Sequence, residues 1–212
     1  TPLGSSAASD VYKRQMLDNI IEHFIDNVVH TRPCTQPNTL EEFMAYVKPE
    51  KEFQGKAKAA YSAYRERALG LGAMGFHSYL QRNEIPFEGM YASSFNNRAF
   101  KHIKERAEET SISLGASRGT APDMAGSSRR NSHLLAVAPN ASSSIICGGT
   151  SPSIEPTRAN VFTHKTLTGS FKVKNKYLEK LLAKKKINTE ETWKTIAAAE
   201  GSVAGLEELT EE

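Results

Sequence analysis

Residues 134–149 read LLAVAPNASSSIICGG, and this stretch gives the clearest prediction of local structure in the chain. Its apolar run, which ends at a proline, is typical of a buried strand, and we expect that strand at residues 133–138. Pro139 suits the first position of a helix, and it is followed by residue types that cap helix starts, namely Asn140, Ser142 and Ser143. Two glycines, Gly148 and Gly149, should end this short helix after one or two turns.

A strand that leads directly into a short helix creates an anion-binding geometry. The first N–H groups of the helix have no partner inside it, and the helix dipole adds partial positive charge at the same end. Serine hydroxyls add further donors, so the pattern predicts a phosphate-bearing ligand at residues 139–143. The alternative is purely structural, because serine-rich turns between a strand and a helix commonly cap the helix and bind nothing. The local pattern alone favours that alternative.

Several segments in register resemble the large (catalytic, α) subunit of aerobic ribonucleotide reductase, in its phage-like and bacterial class I forms. They read RNSHLLAVAPNASSS at 130–144, GGTSPSIEP at 148–156, NVFTHKTLTGSF at 160–171 and YSAYRERALGLGAMGFH at 61–77. Together they place most of residues 16–212 within the resemblance. It implies a helix-rich α/β fold, a partial segment of the ten-stranded α/β barrel of that family, from the C-terminal half of the barrel.

In the family, the turn that matches residues 139–143 holds the phosphates of the ribonucleoside diphosphate substrate. The resemblance makes Pro139 the residue that opens the loop, and it assigns diphosphate contacts to the backbone amides of Ala141, Ser142 and Ser143. The hydroxyl of Ser143 is implied to reach the diphosphate as well. Asn140 stands where Thr or Ser is usual, and it could still cap the helix and donate through its amide.

The activity implied by the resemblance is reduction of ribonucleoside diphosphates to deoxyribonucleotides for DNA synthesis. The implied partners are a small subunit that supplies a protein radical, a second large subunit, and thioredoxin or glutaredoxin as reductant. ATP and dNTP effectors are implied for the whole enzyme, with no cofactor bound by this chain. Cys34 and Cys147 are in neither the radical nor the redox context of the family. We therefore expect two free thiols, no catalytic residue here, and an inactive isolated piece.

Composition limits the other function classes. The 212 residues are 39% hydrophobic and 24% charged, with a net charge of +3, and no apolar run approaches the length of a membrane span. We expect a cytoplasmic protein without a metal site, membrane contact or nucleic-acid partner. Residues 1–15 (TPLGSSAASDVYKRQ) match nothing in the family and lack the apolar core of a signal peptide, so we expect a non-native or disordered leader.

Two other functions remain open at this point. A basic helical nucleic-acid-binding module would fit the pI of about 8.8 and the Lys184–Lys186 run, although the positive charge is interleaved with acids. Arg129 and Arg130 could form a basic patch, but paired loop arginines usually face water, and Arg130 and Asn131 are assigned a structural role first. A phosphosugar-binding enzyme with an unrelated barrel could use the same turn, but it would not explain the segments at 61–77 and 150–171.

Periodicity and capping signals predict the remaining elements. Helices are expected at 16–30, at 40–47 after the capping residue Thr39, at 61–81, from Ser93 or Ser94 to Gly115 or Gly119, at 176–184, and from Thr189 to Gly201. The glycines at 70, 72 and 75 would serve close helix packing. Residues 49–58 are expected as a loop, 120–130 as irregular, and 159–165 with 168–173 as a hairpin joined near 166–169.

Overall fold

The computed structural model describes residues 3–166 and 169–209, and it is helix-rich with one small sheet, as predicted. Contacts divide the chain into two units, Thr1–Gly72 with Asn96–Val137 (unit 1) and Ala73–Phe95 with Ala138–Glu212 (unit 2). The elements are α1 (Leu3–Val28), α2 (Leu40–Met44), α3 (Lys51–Glu66), α4 (Phe76–Arg82), α5 (Met90–Arg118), α6 (Ala141–Ile146), β1 (Val161–Thr166), β2 (Gly169–Lys174), α7 (Lys176–Lys184) and α8 (Glu190–Ala198).

The core of unit 1 is built by the first three helices. Phe43 of α2 is completely buried and lies 5.5 Å and 5.7 Å, between ring centroids, from Tyr61 and Tyr64 of α3. Aliphatic residues complete this core, namely Ile25, Val28, Val29, Val47, Ala57 and Ala60. Thr39 caps α2 as predicted, since its hydroxyl accepts the Glu42 N–H at 3.2 Å. The apolar faces of α1 and α3 therefore pack against each other, and Phe43 of α2 contributes to the same core.

One expectation at the start of the chain is wrong. Residues 51–58 are the beginning of helix α3 and not a loop, because Ala57 and Ala60 form a buried stripe that outweighs the charged composition. Helix α1 starts at Leu3 and includes residues 3–15. Arg14 is buried and donates to the Ile103 carbonyl at 3.1 Å, which gives this segment a tertiary anchor. The interpretation of residues 1–15 as a leader stays a prediction.

The helix expected at 61–81 is broken in the middle. Helix α3 stops at Arg67, which takes a left-handed conformation with φ 47°, and α4 begins only at Phe76. The segment between them is not helical, and its residues 69–71 pair with residues 133–136, since the Leu71 N–H donates to Leu134 O and the Ala136 N–H donates to Leu71 O. Gly70 permits this approach, since a Cβ there would lie 3.1 Å from the Ala136 Cβ. Gly70 thus serves close backbone packing, but between two non-helical segments and not between helices, whereas Gly75 lies at the start of α4.

The strand expected at 133–138 is reduced to one parallel bridge between Leu71 and Leu135. Within residues 3–166 and 169–209 this segment has backbone partners on one side alone. Leu134 is buried, but Leu135 is 37% exposed and Val137 is 69% exposed, so most of the apolar run is not buried.

Unit 2 contains the predicted hairpin. Strands β1 and β2 pair antiparallel, with Val161 opposite Lys174 at one end and Thr166 opposite Gly169 at the other. The connection predicted near 166–169 includes residues 167–168, which lie outside the described part. Val161 packs with side chains from α7 and α8, namely Leu178, Leu182, Trp193 and Ile196. Helices α7 and α8 begin as predicted, and the Thr189 hydroxyl accepts the Thr192 N–H at 3.2 Å. Helix α5 begins at Met90, before the predicted Ser93 or Ser94, and ends at Arg118, directly before Gly119 as predicted.

Candidate functional site

Residues 139–143, called the 139–143 turn below, lie at the start of helix α6 in unit 2. Asn140 is the N-cap residue and the helix begins at Ala141, so Pro139 precedes the cap and does not take the first helical position as expected. Pro139 and the residues from Ala141 to Ser143 are exposed, whereas Asn140 is partly buried. The tip of α6 is therefore open to solvent.

The backbone donors of this turn are unused. In an α-helix the first N–H groups have no acceptor within the helix, and here the first N–H group of α6 to be bonded is that of Ser144, which donates to Asn140 O at 2.9 Å. Within the part of the chain that the structure describes, the amides of Ala141, Ser142 and Ser143 donate to no acceptor. Three adjacent free donors at a positive helix end can receive an anion such as phosphate.

Asn140 does not use its side chain in the expected way. Its amide Nδ2 donates to the Ala138 carbonyl at 3.0 Å, and its side chain makes no capping bond to the helix. Asparagine side chains commonly bond nearby backbone groups, and the bond to Ala138 O holds this amide in an orientation in which its Oδ1 accepts no α6 N–H. The donors that this turn offers to an anion are therefore mainly its backbone N–H groups.

The opposite end of α6 is fixed by several contacts. Gly148 and Gly149 have φ values of +84° and +63° and end the helix as predicted. The Thr150 N–H donates to Ser144 O at 3.1 Å, and Lys176 Nζ donates to Gly148 O at 2.8 Å. Ser144 is the buried residue of α6, and its hydroxyl donates to Ala141 O at 2.9 Å.

The loop that follows α6 binds to the start of helix α4. Ser78 and Ser151 exchange hydrogen bonds, because each N–H donates to the hydroxyl of the other at 3.1 Å and 2.8 Å. The Gly75 N–H donates to Ser151 O at 2.9 Å, and the Phe76 N–H donates to Ser153 O at 3.3 Å. We call Gly75, Phe76, Ser78, Ser151 and Ser153 together the α4 clamp. The sequence prediction missed it, since the two serines are 73 positions apart and no local pattern links them.

Three residues of the α4 clamp are almost fully buried: Ser78 is 4% exposed, Ser151 is not exposed and Ser153 is 1% exposed. Next to it, the Thr157 N–H donates to His77 Nδ1 at 3.2 Å, and burial lowers the pKa of His77 below its ordinary value. His77 therefore lies in this site as a neutral hydrogen-bond acceptor.

Unit 1 contains a buried charge cluster that the sequence prediction also missed. Asp18 is fully buried and accepts hydrogen bonds from Arg130, Arg118 and Asn131. Burial, and then the nearby Arg67 charge, lower the pKa of Arg130, while its bond to Asp18 opposes the shift. The expectation that Arg130 faces water is thus wrong, whereas the structural role assigned to Arg130 and Asn131 is confirmed. The cluster ties α1 to residues 130–131.

Other site types are not visible in the described residues. Cys34 and Cys147 are both exposed free thiols. Over residues 3–166 and 169–209, no group of three or more His, Cys, Asp or Glu side chains could hold a metal ion. No helix in that same part is long and apolar enough to span a bilayer. The 139–143 turn therefore remains the candidate site.

Comparison with known proteins identifies the family. Residues 16–130 and residues 123–212 match the family described as "Ribonucleotide reductase, barrel domain". The ribonucleoside-diphosphate reductase large subunit of Invertebrate iridescent virus 3 is 41% identical over 197 residues, which are 92% of this chain and 28% of that protein. The protein of the same name from Invertebrate iridescent virus 6 is 43% identical over 154 residues, 71% of this chain and 16% of that protein.

A solved structure agrees with these matches. The Actinobacillus ureae class Id ribonucleotide reductase alpha subunit is similar with a TM-score of 0.65 and 40% sequence identity, covering 80% of this chain and 30% of that chain. The chain thus spans less than a third of the length of each of these relatives. Because the family match covers nearly all of the sequence and the fold agrees, the chain belongs to the ribonucleotide reductase barrel-domain family.

Proposed function

We propose that this chain is part of the large subunit of a ribonucleoside-diphosphate reductase, and that its 139–143 turn holds the diphosphate of the substrate. The two viral relatives are named as large subunits of that enzyme, and they align with 92% and 71% of the chain. A shared fold does not by itself establish activity, so the site must support the proposal on its own chemistry.

The observation that supports it is the free row of amides at the exposed tip of α6. Ala141, Ser142 and Ser143 present adjacent N–H donors that no other described group accepts. A diphosphate is a dianion or trianion with many acceptor oxygens, and hydrogen bonds from backbone N–H groups to such charged acceptors are stronger than neutral ones. The dipole of a helix, even a short one, adds positive potential at the same point.

The rest of the proposed enzyme follows from this assignment. The reaction reduces ribonucleotides to deoxyribonucleotides for DNA synthesis, with a small subunit that supplies a protein radical and with thioredoxin or glutaredoxin as reductant. We propose a second large subunit as a further partner, ATP and dNTP effectors, and a cytoplasmic location. In this scheme the residues of this chain bind and orient the substrate, and none of them is assigned to catalysis. Each relative named above is a reductase subunit, so we do not propose nucleic-acid binding.

A proline at Ser143 tests the proposal in the large subunit that carries this chain. Ser143→Pro removes one of the three free amides and places a ring in the first turn, so the KM for CDP or ADP should rise by about tenfold or more. Ser143→Ala is the matched control, because it removes the hydroxyl and keeps the amide, and its effect should be clearly smaller. Equal KM values for wild type and Ser143→Pro would reject the proposal.

A further inference from the structure

We infer that Ser78 is a positioning residue for the 139–143 turn, and that it acts through Ser151. This inference rests on the proposed function, since it concerns how the same site is held in place. Ser78 belongs to helix α4, and it lies 73 positions away from Ser151 in the sequence. The two residues nevertheless form a reciprocal hydrogen-bonded pair in the buried α4 clamp.

In this pair, each serine donates through its N–H group and accepts through its hydroxyl. The Ser78 N–H donates to the Ser151 hydroxyl at 3.1 Å, and the Ser151 N–H donates to the Ser78 hydroxyl at 2.8 Å. Loss of the Ser78 hydroxyl would leave the Ser151 N–H buried without its acceptor, and such a group is costly to bury. The loop would then have to shift so that this amide reaches water.

The rest of the α4 N-terminus supports the same loop. Gly75 has no side chain to cap α4. Instead, the Gly75 N–H donates to the Ser151 carbonyl, and the Phe76 N–H donates to the Ser153 carbonyl. Gly75 also has a φ of +84°, and a Cβ there would lie 2.7 Å from Thr150 Oγ1. The loop is thus held at consecutive residues along one helix start.

The α4 clamp is connected to the turn through two further bonds. The Thr150 N–H donates to Ser144 O at 3.1 Å, and the Ser144 hydroxyl donates to Ala141 O at 2.9 Å. Ala141 is the first residue of α6 and one of the three residues with a free amide. A movement of Ser151 is therefore passed along the chain to Thr150 and from there to the helix tip.

Helix α6 has little else to fix its direction. It is six residues long, and helices of this length are not stable on their own in water. Its apolar residues do not anchor it, since Ile145 is 56% exposed and Ile146 is 85% exposed. Ser144 is its buried residue, and Ser144 is bonded to the loop that the α4 clamp holds. Polar contacts at the C-terminal end therefore set where the free amides point.

The test compares three single variants in the large subunit that carries this chain. Ser78→Ala and Ser151→Ala should each raise the KM for CDP by about tenfold, equivalent to 1.4 kcal/mol of lost binding, with kcat changed less than about twofold. Ser153→Ala is the matched control from the same loop. Its hydroxyl is buried without a hydrogen-bond partner among the described residues, and its backbone contact to Phe76 is retained, so KM should not change.

Direct binding separates this inference from the proposed function. Inorganic pyrophosphate and ADP are titrated against wild type, Ser143→Pro and Ser78→Ala. If Ser143→Pro binds like wild type, the proposed function is wrong. If Ser143→Pro weakens binding and Ser78→Ala does not, the diphosphate assignment stands and the positioning role of Ser78 is overturned.

Hydrogen exchange on the unmodified protein keeps the inference testable if a serine variant does not fold. The amides of Thr150 and Ser151 should exchange slowly, because both are bonded inside the α4 clamp or to α6. In a folded Ser78→Ala protein, exchange should accelerate at residues 144–151 and remain unchanged in α7. Free exchange of Thr150 and Ser151 in wild type would overturn the inference.

Discussion

Asp18 and Arg130 form a buried ion pair between residues 112 positions apart in the sequence. The Arg130 Nε donates to both carboxylate oxygens of Asp18 at 2.9 Å and 3.0 Å, and the two side chains are 0% and 5% exposed. Arg130 also donates to the carbonyls of Arg118 and Gly119. Nearly every donor of this guanidinium therefore has a partner, which allows a charge to be buried at this position.

Removing the Asp18 charge should strongly destabilise unit 1. Asp18→Asn leaves Arg130 buried beside a neutral group, and breaking a buried pair in this way costs about 3–5 kcal/mol. Asp26→Asn is the control, since Asp26 pairs with Arg32 on the surface and its loss should cost about 1 kcal/mol or less. Denaturant unfolding measures both values. Similar losses in the two variants would contradict the assignment of Asp18 as the buried counter-ion.

At Gly75, the steric cost of an added Cβ can be measured separately from the cost of the left-handed backbone conformation. Gly75 and Gly148 both have a φ of +84°. A Cβ at Gly75 would lie 2.7 Å from Thr150 Oγ1, whereas a Cβ at Gly148 would have no other atom within 4 Å. Gly148→Ala should cost about 1–2 kcal/mol from its left-handed conformation alone. Gly75→Ala should cost clearly more, because the contact adds to the same backbone penalty. Equal changes in the free energy of unfolding would rule out the steric contribution.

Acid should destabilise the fold through His77. Burial lowers the pKa of His77, so below about pH 6.5 the unfolded state binds a proton that the folded state does not. Above that pH both states are neutral at this residue, and its contribution is intact. The stabilising contribution of His77 is lost as the pH falls below this value, and the loss is complete once the pH is also below the pKa of His77 in the folded state.

The comparison with His77→Gln isolates this effect from the other titrating groups. The stability advantage of wild type over the variant should shrink between about pH 7 and pH 5 in urea unfolding. Protonation would also remove the acceptor for the Thr157 N–H at Nδ1. A pH-independent difference between the two proteins would show that His77 does not titrate with folding.

Asn140 should tolerate the loss of its side chain. Its amide donates to the Ala138 carbonyl and makes no capping bond to α6, so Asn140→Ala should lower stability by about 1 kcal/mol or less. If backbone amides hold the diphosphate, the KM for CDP should change by less than about threefold, since no donor to the ligand is lost. A larger rise, approaching that expected for Ser143→Pro, would show that the Asn140 side chain contacts the substrate.

Local signals predicted the elements that depend on neighbouring residues. Thr39 and Thr189 begin helices because their hydroxyls accept an N–H three positions ahead, and the hairpin follows from two β-rich runs separated by a short turn. Gly148 ends α6 for the same kind of reason, since its left-handed conformation suits glycine. Such signals act over three or four residues and are visible in the sequence.

Helix continuity at residues 61–81 could not be judged locally. The period of apolar residues fits a helix, yet Arg67 turns left-handed and residues 69–71 pair with the backbone near 133–136. That pairing joins segments more than sixty positions apart, so it competes with the helix only once the chain is folded. The apolar run at 133–138 was overestimated for a related reason, because its burial depends on partners that its own pattern does not specify.

The family, the capped helices and the turn at 139–143 could be recognised from residue order, because they depend on short-range signals and on long motifs in register. The pairing of Asp18 with Arg130 and of Ser78 with Ser151 emerges in the folded chain alone. A buried polar group takes whichever partner the fold brings within hydrogen-bond distance, and that choice leaves no local pattern in the chain.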